Sequence, residues 1–131
     1  MLYLIVFVGA GIGGALRHGV NTAALRLAGP DFPYGTMTIN ILGSLAMGLI
    51  AGYFTFRGGT GLFGQMGQHW RLFLTTGVLG GFTTFSAFSL DFATLWERGA
   101  MTPALLYLTV SVGGSVVAIF AALAVARAVF A

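Results

Sequence analysis

Long apolar runs dominate the pattern of hydrophobic and polar positions along this chain, and polar connections separate them at about residues 28–33, 57–69 and 97–102. An α-helix needs about 20 predominantly apolar residues to cross the hydrocarbon core of a bilayer, and four segments are long enough. We therefore predict an all-α membrane protein. Its single four-helix transmembrane domain covers residues 1–131, with helices at about residues 2–27, 34–56, 70–96 and 103–130.

The third apolar segment has an unusual centre, because residues 80–89 read Gly-Gly-Phe-Thr-Thr-Phe-Ser-Ala-Phe-Ser. Glycine weakens a helix, and the hydroxyls of serine and threonine compete for its backbone hydrogen bonds. Backbone can leave the helix at membrane depth only where it is buried in protein or lines a wet cavity. This run therefore predicts a broken third helix, with an ion or solute site at the break.

Composition supports the membrane assignment and excludes several classes of function. The chain is 57% hydrophobic and 7% charged, whereas a soluble domain carries about 25% charged residues. It contains no cysteine, which excludes disulfides and thiolate metal sites. Its six basic residues are dispersed arginines, and nucleic-acid binding needs a clustered basic face, so we expect no nucleic-acid partner.

The arginines are balanced between the two sides of the predicted helix bundle. An excess of basic residues in the cytoplasmic loops normally sets the orientation of a membrane protein, and an even split sets none. Two interpretations follow: a single topology set by other features, or a dual topology in which oppositely inserted copies pair as an antiparallel homodimer. Four helices enclose a pathway poorly, which favours the dimer. The two sets are Arg57, Arg71 and Arg127 on one side, and Arg17, Arg26 and Arg98 on the other.

A glycine motif near the N-terminus has two interpretations. Gly9-Ala-Gly-Ile-Gly-Gly14 fits the spacing of a dinucleotide-binding fingerprint, but that fingerprint needs a strand and a βαβ unit around it. The same residues place small side chains four positions apart, which allows close packing between membrane helices. We predict packing.

Polar residues at mid-membrane depth are costly, so each must have a partner or line a pore. Asn40 in the second span either bonds to another helix or faces a pore. Tyr107, Ser111 and Ser115 in the fourth span are four residues apart, which places their hydroxyls on one helical face. This stripe either packs between helices or forms a polar track, and a continuous track explains it more economically.

Other residues also fit two interpretations. Arg17, two-thirds of the way along the first span, either snorkels to the interface or forms a cation site at a vestibule. Phe85 and Phe88 either pack or contact an anion, because the edge of a phenyl ring is weakly positive. Neutral donors together with arginine suit an anion.

Acidic residues are nearly absent from the predicted spans. The first, second and fourth spans have none, and Asp91 lies near the end of the third. Proton-coupled exporters need an acid inside the membrane. We also find no catalytic Ser/His/Asp grouping, so we expect no enzymatic activity.

Four motifs resemble the Fluc (CrcB) family of small fluoride channels over essentially the full length of the chain. His18 and Ala87 depart from residues that are frequent in the family at these positions. The motifs are Gly13-Gly-Ala-Leu-Arg17, Gly35-Thr-x-x-x-Asn40, Gly80-Gly-Phe-Thr-Thr-Phe-Ser-Ala-Phe88 and Tyr107…Ser111…Ser115.

The resemblance implies an antiparallel dual-topology homodimer in the inner membrane of the cell, with two pores that export fluoride by passive electrodiffusion. It implies three partners: a second copy of the chain, fluoride and membrane lipid. It also implies a structural sodium ion held by the backbone carbonyls of Gly80 and Thr83, and Arg17 near a vestibule. The residues expected to line each pore are Asn40, Phe85, Phe88, Tyr107, Ser111, Ser115 and Thr36.

Two other functions remain to be weighed. A small dual-topology multidrug exporter has a similar size and number of spans, but it would need a membrane-embedded glutamate in its first helix. A structural or assembly protein without transport activity would leave the polar residues of three spans unused, although each is costly in the membrane.

Overall fold

The computed structural model describes residues 1–58 and 64–131, and within them the regular secondary structure is entirely helical. Residues 59–63, in the predicted connection between the second and third spans, lie outside the described residues. The third span is interrupted and is built from several short helices. The elements are α1 (Leu2–Ala28), α2 (Tyr34–Arg57), a 3₁₀ turn (Gly64–Met66), α3 (Gly67–Leu72), a π-helix (Phe73–Leu79), α4 (Gly80–Phe82), α5 (Phe85–Glu97) and α6 (Met101–Phe130).

Four helical segments are long and apolar enough to cross a membrane, as the hydrophobic pattern predicted. They are Leu2–Ala28, Tyr34–Arg57, Gly67–Glu97 and Met101–Phe130. The fourth begins two residues before Pro103, so this proline lies in the first turn of α6. A proline is tolerated there because the first N–H groups of a helix have no intrahelical acceptor.

Two of the turns between the spans, the first and the third, depend on a glycine. Gly29 follows α1 with φ of 78°, and Gly99 follows α5 with φ of 77°. Glycine adopts a positive φ readily because it has no Cβ, which makes it the usual residue just after a helix. Both glycines therefore let the chain turn sharply at the end of a membrane-crossing segment.

Glycine contacts hold α1 against the third span. A Cβ at Gly9 would lie 2.8 Å from both Gly77 Cα and the Phe73 carbonyl oxygen, and one at Gly81 would lie 2.8 Å from Ala10 Cα. Such distances leave no room for a side chain, so the two backbones are in direct contact. The packing interpretation is confirmed for Gly9 and Gly13, which contact the third span, but not for Gly11 and Gly14, where nothing lies within 4 Å of an added Cβ. No strand or turn of a nucleotide site is present at residues 9–14, which lie within α1.

Helices α2 and α6 form the most extensive helix pair in the described part of the chain. Gly48 of α2 packs on Ala122 of α6, and Gly52 packs on Ala126 one turn further along both helices. Because the residue numbers of the two partners rise together, α2 and α6 run parallel. This register fixes which polar residues of the two helices lie at the same depth.

Most of the helical surface faces outward. Phe7, Val117 and Phe120 expose 75%, 69% and 68% of their surface, and the buried cluster around Leu95, Ala104 and Tyr107 is small. A helix that is apolar all round needs an apolar environment. The outer surface is therefore suited to lipid or to another protein chain.

Candidate functional site

The predicted helix break is present, and it falls at two adjacent threonines. Thr83 (φ −79°, ψ 156°) and Thr84 (φ −155°, ψ 126°) are extended between α4 and α5. The Thr83 hydroxyl donates back to the Leu79 carbonyl at 2.9 Å, and the Thr84 hydroxyl accepts from Ala87 N–H at 3.2 Å. The two hydroxyls thus close the last turn of one helix and cap the first turn of the next.

Asn40 on α2 holds this break in place. Its Nδ2 donates to the Thr84 carbonyl and its Oδ1 accepts from Thr84 N–H, both at 2.9 Å. Of the two interpretations of Asn40, the inter-helix bond is therefore present. The amide nitrogen carries two hydrogens, so one N–H remains after the bond to Thr84.

The break removes the usual donors from the carbonyls of Gly80 and Thr83. In a continuous helix Thr84 N–H would donate to Gly80, but here it donates to Asn40. Ala87 N–H would donate to Thr83, but it donates to the Thr84 hydroxyl. Two carbonyl oxygens that a helix would normally use are thereby released at mid-span.

A cavity of about 410 Å³ lies beside the break, between α2, α5 and α6. It combines polar groups with a largely apolar wall. Five of the residues expected to line a pore are on its surface: Asn40, Phe85, Phe88, Ser111 and Ser115.

Two hydroxyls in this cavity have no partner among the described residues. The Oγ atoms of Ser111 and Ser115 are buried and make no hydrogen bond there. Buried polar groups are nearly always paired, so these two hydroxyls are available to bind a ligand, water or ion. Both serines lie on the same face of α6, one turn apart.

The aromatic residues of the site form a continuous row of ring contacts, tilted between Phe85 and Phe88 and stacked between Phe88 and Tyr107. The ring centroids of Phe85 and Phe88 are 5.5 Å apart, and Phe88 stacks on Tyr107 at 5.2 Å with an interplanar angle of 28°. Phe88 is 6% exposed, whereas Phe85 is 77% exposed in the single chain. Phe85 therefore forms the open side of the cavity.

These features agree with the relationship of the chain to known proteins. Residues 4–123 match the family described as CrcB-like protein, Camphor Resistance (CrcB). The chain belongs to the CrcB family. This confirms the resemblance that the four motifs indicated.

Several curated relatives of this CrcB chain are named fluoride-specific ion channel FluC. One from Methylobacterium nodulans is 62% identical over 124 residues, which cover 95% of this chain and 94% of the relative. One from Rhodopseudomonas palustris strain BisB5 is 55% identical over 129 residues, covering 98% and 99%. A third, from Mesorhizobium japonicum, is 56% identical over 124 residues, covering 95% and 94%.

Two residues expected along the pore of this CrcB protein lie beyond the cavity. Tyr107 is fully buried, and its hydroxyl donates to Asp91 Oδ2 at 3.0 Å. Thr36 is also buried, and its hydroxyl approaches that of Tyr107. The ring of Phe88 stacks on Tyr107, so Tyr107 and Thr36 continue the polar face of the site on the far side of Phe88.

Arg17 is not brought to this site. Its side chain is half-buried on α1, and it makes no hydrogen bond or ion pair with any described residue. It is also not among the residues that line the cavity. In the single chain, therefore, the CrcB motif around Arg17 and the helix break are separate features.

Sequence reasoning missed two residues of the site. Asp91, near the end of the span, lies three residues after Phe88 and so on the same helical face. Ser44 lines the cavity together with Asn40, which is four residues earlier on α2. The sequence signal that could have found both residues is their helical spacing, of Asp91 from Phe88 and of Ser44 from Asn40.

Proposed function

We propose that this CrcB-family protein is a fluoride-selective ion channel, a multi-pass protein of the cell inner membrane through which cytoplasmic fluoride leaves by passive electrodiffusion. The carrying observation is that the buried hydroxyls of Ser111 and Ser115, which have no hydrogen-bond partner among the described residues, lie in one cavity beside the Asn40 amide. The names of the relatives supply the identity of the ion. The activity is transport and not catalysis.

The donors of the cavity suit a small anion in transit. An ion that enters must exchange part of its hydration shell for protein donors, and the contacts must be weak enough for it to leave. The remaining N–H of Asn40 and the hydroxyls of Ser111 and Ser115 are neutral donors, and the ring edges of Phe85 and Phe88 add weak positive potential. No full positive charge lines the cavity to trap the anion.

The distribution of acids supports passive flow over proton-coupled export. Helices α1, α2 and α6 contain no carboxylate, and Asp91 on α5 is already bonded to Tyr107. A multidrug exporter that exchanges its substrate for protons needs a free acid facing its substrate. None of the residues that line the cavity is acidic.

We further propose that two copies inserted in opposite orientations form an antiparallel homodimer with two pores. The balanced arginines support dual topology, because neither side of the four-helix unit has the excess that would orient it. The 77% exposure of Phe85 supports a partner, since a cavity open on this side encloses no path alone. Arg17 would lie near a vestibule, where its charge attracts anions.

Within this dimer, a structural sodium ion would be held by the carbonyls of Gly80 and Thr83 from both subunits. The donor set fits, because these carbonyls lose their helical donors at the break. Carbonyl dipoles can hold a monovalent cation without a carboxylate, and the described residues contain no His/Cys/Asp/Glu cluster. When bound, the ion would raise the local electrostatic potential for anions.

Purified protein in liposomes loaded with potassium fluoride or potassium chloride tests the proposal. We expect fluoride efflux when a potassium ionophore carries the compensating charge, little fluoride efflux without it, and no chloride efflux above that of empty liposomes. Fluoride efflux equal to that of empty liposomes would refute channel activity. Efflux that is independent of the ionophore but driven by a pH gradient would instead indicate proton coupling.

A further inference from the structure

We propose that Ser44 is a further anion-binding residue of this pathway, one step beyond Ser115. The inference rests on the proposed channel function and adds a donor on α2 beyond Asn40 and Thr36, the two that the sequence predicted there. Ser44 lines the same cavity as Asn40, Ser111 and Ser115.

The hydroxyl of Ser44 is not bonded within its own helix, in contrast to several other helical hydroxyls of this protein. Serine and threonine inside a helix commonly donate to the carbonyl four residues earlier. Thr55 on α2 does so to Ala51 at 2.8 Å, and Ser89 on α5 does so to Phe85 at 2.9 Å. Ser44 makes no hydrogen bond with any described residue, so its hydroxyl is available, like those of Ser111 and Ser115.

The register between α2 and α6 gives the depth of Ser44. Gly48 lies against Ala122, so Ser44, one turn before Gly48, lies about level with Ala118. Ala118 is three residues past Ser115, and at 1.5 Å per residue the step from Ser115 to Ser44 along the helix axis is about 5 Å.

Asn40 fits the same register. It is one turn before Ser44, which places it about level with Gly114, between Ser111 and Ser115. The polar groups therefore alternate between the two helices in the order Ser111, Asn40, Ser115, Ser44. Successive donors at such short steps allow an ion to bind the next group before it releases the last.

Beyond Ser44 the cavity wall becomes apolar. Met47 lies about one turn further along α2, and Ile119 of α6 lies next to Gly48. Among the lining residues, Ser44 is thus the last hydrogen-bond donor at the end of the cavity near Met47 and Ile119. An ion that leaves at this end regains its hydration water there, and an ion that enters loses it. A donor at this position lowers the barrier of that exchange.

The test compares three variants in the liposome assay, with fluoride concentration varied. Ser44→Ala removes the hydroxyl, Ser44→Thr keeps it, and Thr55→Val removes a hydroxyl on the same helix that is already bonded. We expect fluoride efflux of Ser44→Ala to fall about two- to tenfold at low fluoride, the effect of one neutral hydrogen bond. We expect Ser44→Thr to stay within about twofold of wild type and Thr55→Val to match it.

Two results would overturn the role of Ser44 alone. One is efflux from Ser44→Ala equal to that of a conducting wild type. The other is an equal loss in Ser44→Ala and Ser44→Thr with lowered melting temperatures in both, which would indicate packing. A wild-type protein that releases no fluoride would overturn the proposed function and this inference together.

Discussion

Asn40 binds both backbone groups of Thr84, donating to its carbonyl and accepting from its N–H at 2.9 Å each. One side chain of α2 thus supplies the hydrogen-bond partners of both backbone groups of Thr84, the residue at which α4 gives way to α5 in the third span. In the low-dielectric interior of a membrane protein such a bond is strong, and its loss leaves polar backbone unsatisfied. The same amide lines the cavity, so helix break and pathway share one residue.

Asn40→Asp should impair both roles. The carboxylate cannot donate to the Thr84 carbonyl, and it introduces a negative charge into a path for anions. We expect fluoride efflux to approach that of empty liposomes and the free energy of unfolding in detergent to fall by about 1–3 kcal/mol.

The matched control is Gln68→Glu, which also changes an amide to a carboxylate. Gln68 is exposed at the start of α3, does not line the cavity and makes no hydrogen bond with any described residue, so wild-type stability and flux are expected. Wild-type flux and melting temperature in Asn40→Asp would contradict both roles.

Ser111→Ala and Ser115→Ala should lower transport without lowering stability. Each removes a buried hydroxyl that has no partner among the described residues, so no intramolecular bond is lost. Removing an unsatisfied polar group is neutral or stabilising, by up to about 1 kcal/mol. When both are measured on the same preparations, fluoride efflux should therefore fall while the melting temperature stays the same or rises. A clear loss of stability would show that the hydroxyls are bonded in the folded protein.

Phe85→Ile should show whether transport needs the aromatic ring of Phe85 or only an apolar side chain. Isoleucine is apolar but has no ring edge to present to an anion. Because Phe85 is 77% exposed in the single chain, the substitution should cost the fold of one subunit little. We expect a sharp loss of fluoride efflux with little change in the melting temperature. Phe120→Ile, at an exposed position of α6 away from the cavity, is the control and should conduct like wild type.

Tyr107→Phe should destabilise the protein. It keeps the stacking on Phe88 but removes the donor to Asp91 Oδ2, leaving a partly buried carboxylate without this partner. We expect unfolding to require about 1–3 kcal/mol less, measured by chemical denaturation in detergent. Tyr3→Phe, with Tyr3 at 92% exposure, should have no effect. Equal stabilities for the two variants would mean that the Tyr107–Asp91 bond contributes nothing.

Gly81→Ala and Gly11→Ala should have opposite effects. A Cβ at Gly81 would lie 2.8 Å from Ala10 Cα, whereas nothing lies within 4 Å of a Cβ at Gly11. Forcing α1 away from the third span should cost about 1–3 kcal/mol. Alanine at position 11 should instead stabilise α1, by up to about 1 kcal/mol. Melting temperatures of the two variants test this difference, and similar values would contradict the close backbone contact.

Helical spacing made part of the site predictable. Ser111 and Ser115 follow Tyr107 at intervals of four, and this periodicity placed them on one face before any packing was known. The periodicity did not show that the Tyr107 hydroxyl donates to Asp91 whereas the hydroxyls of Ser111 and Ser115 have no partner among the described residues. That difference depends on which residues of the other helices lie opposite each turn of α6. Ser44 was missed because it is four residues before Gly48 and eight before Gly52, a spacing of small residues that indicates helix packing as readily as a place in the site.

The amino-acid sequence alone determined that four helices cross the membrane and that the third is broken. Long apolar runs need lipid, and adjacent glycines and threonines weaken the helix where they occur, whatever surrounds them. Only the tertiary structure decided that Asn40 binds Thr84 and that the carbonyls of Gly80 and Thr83 lose their donors. These outcomes depend on the register between helices, which is set by close contacts such as that of Gly48 with Ala122. A pairing between residues of two helices leaves no signature in the sequence of either helix.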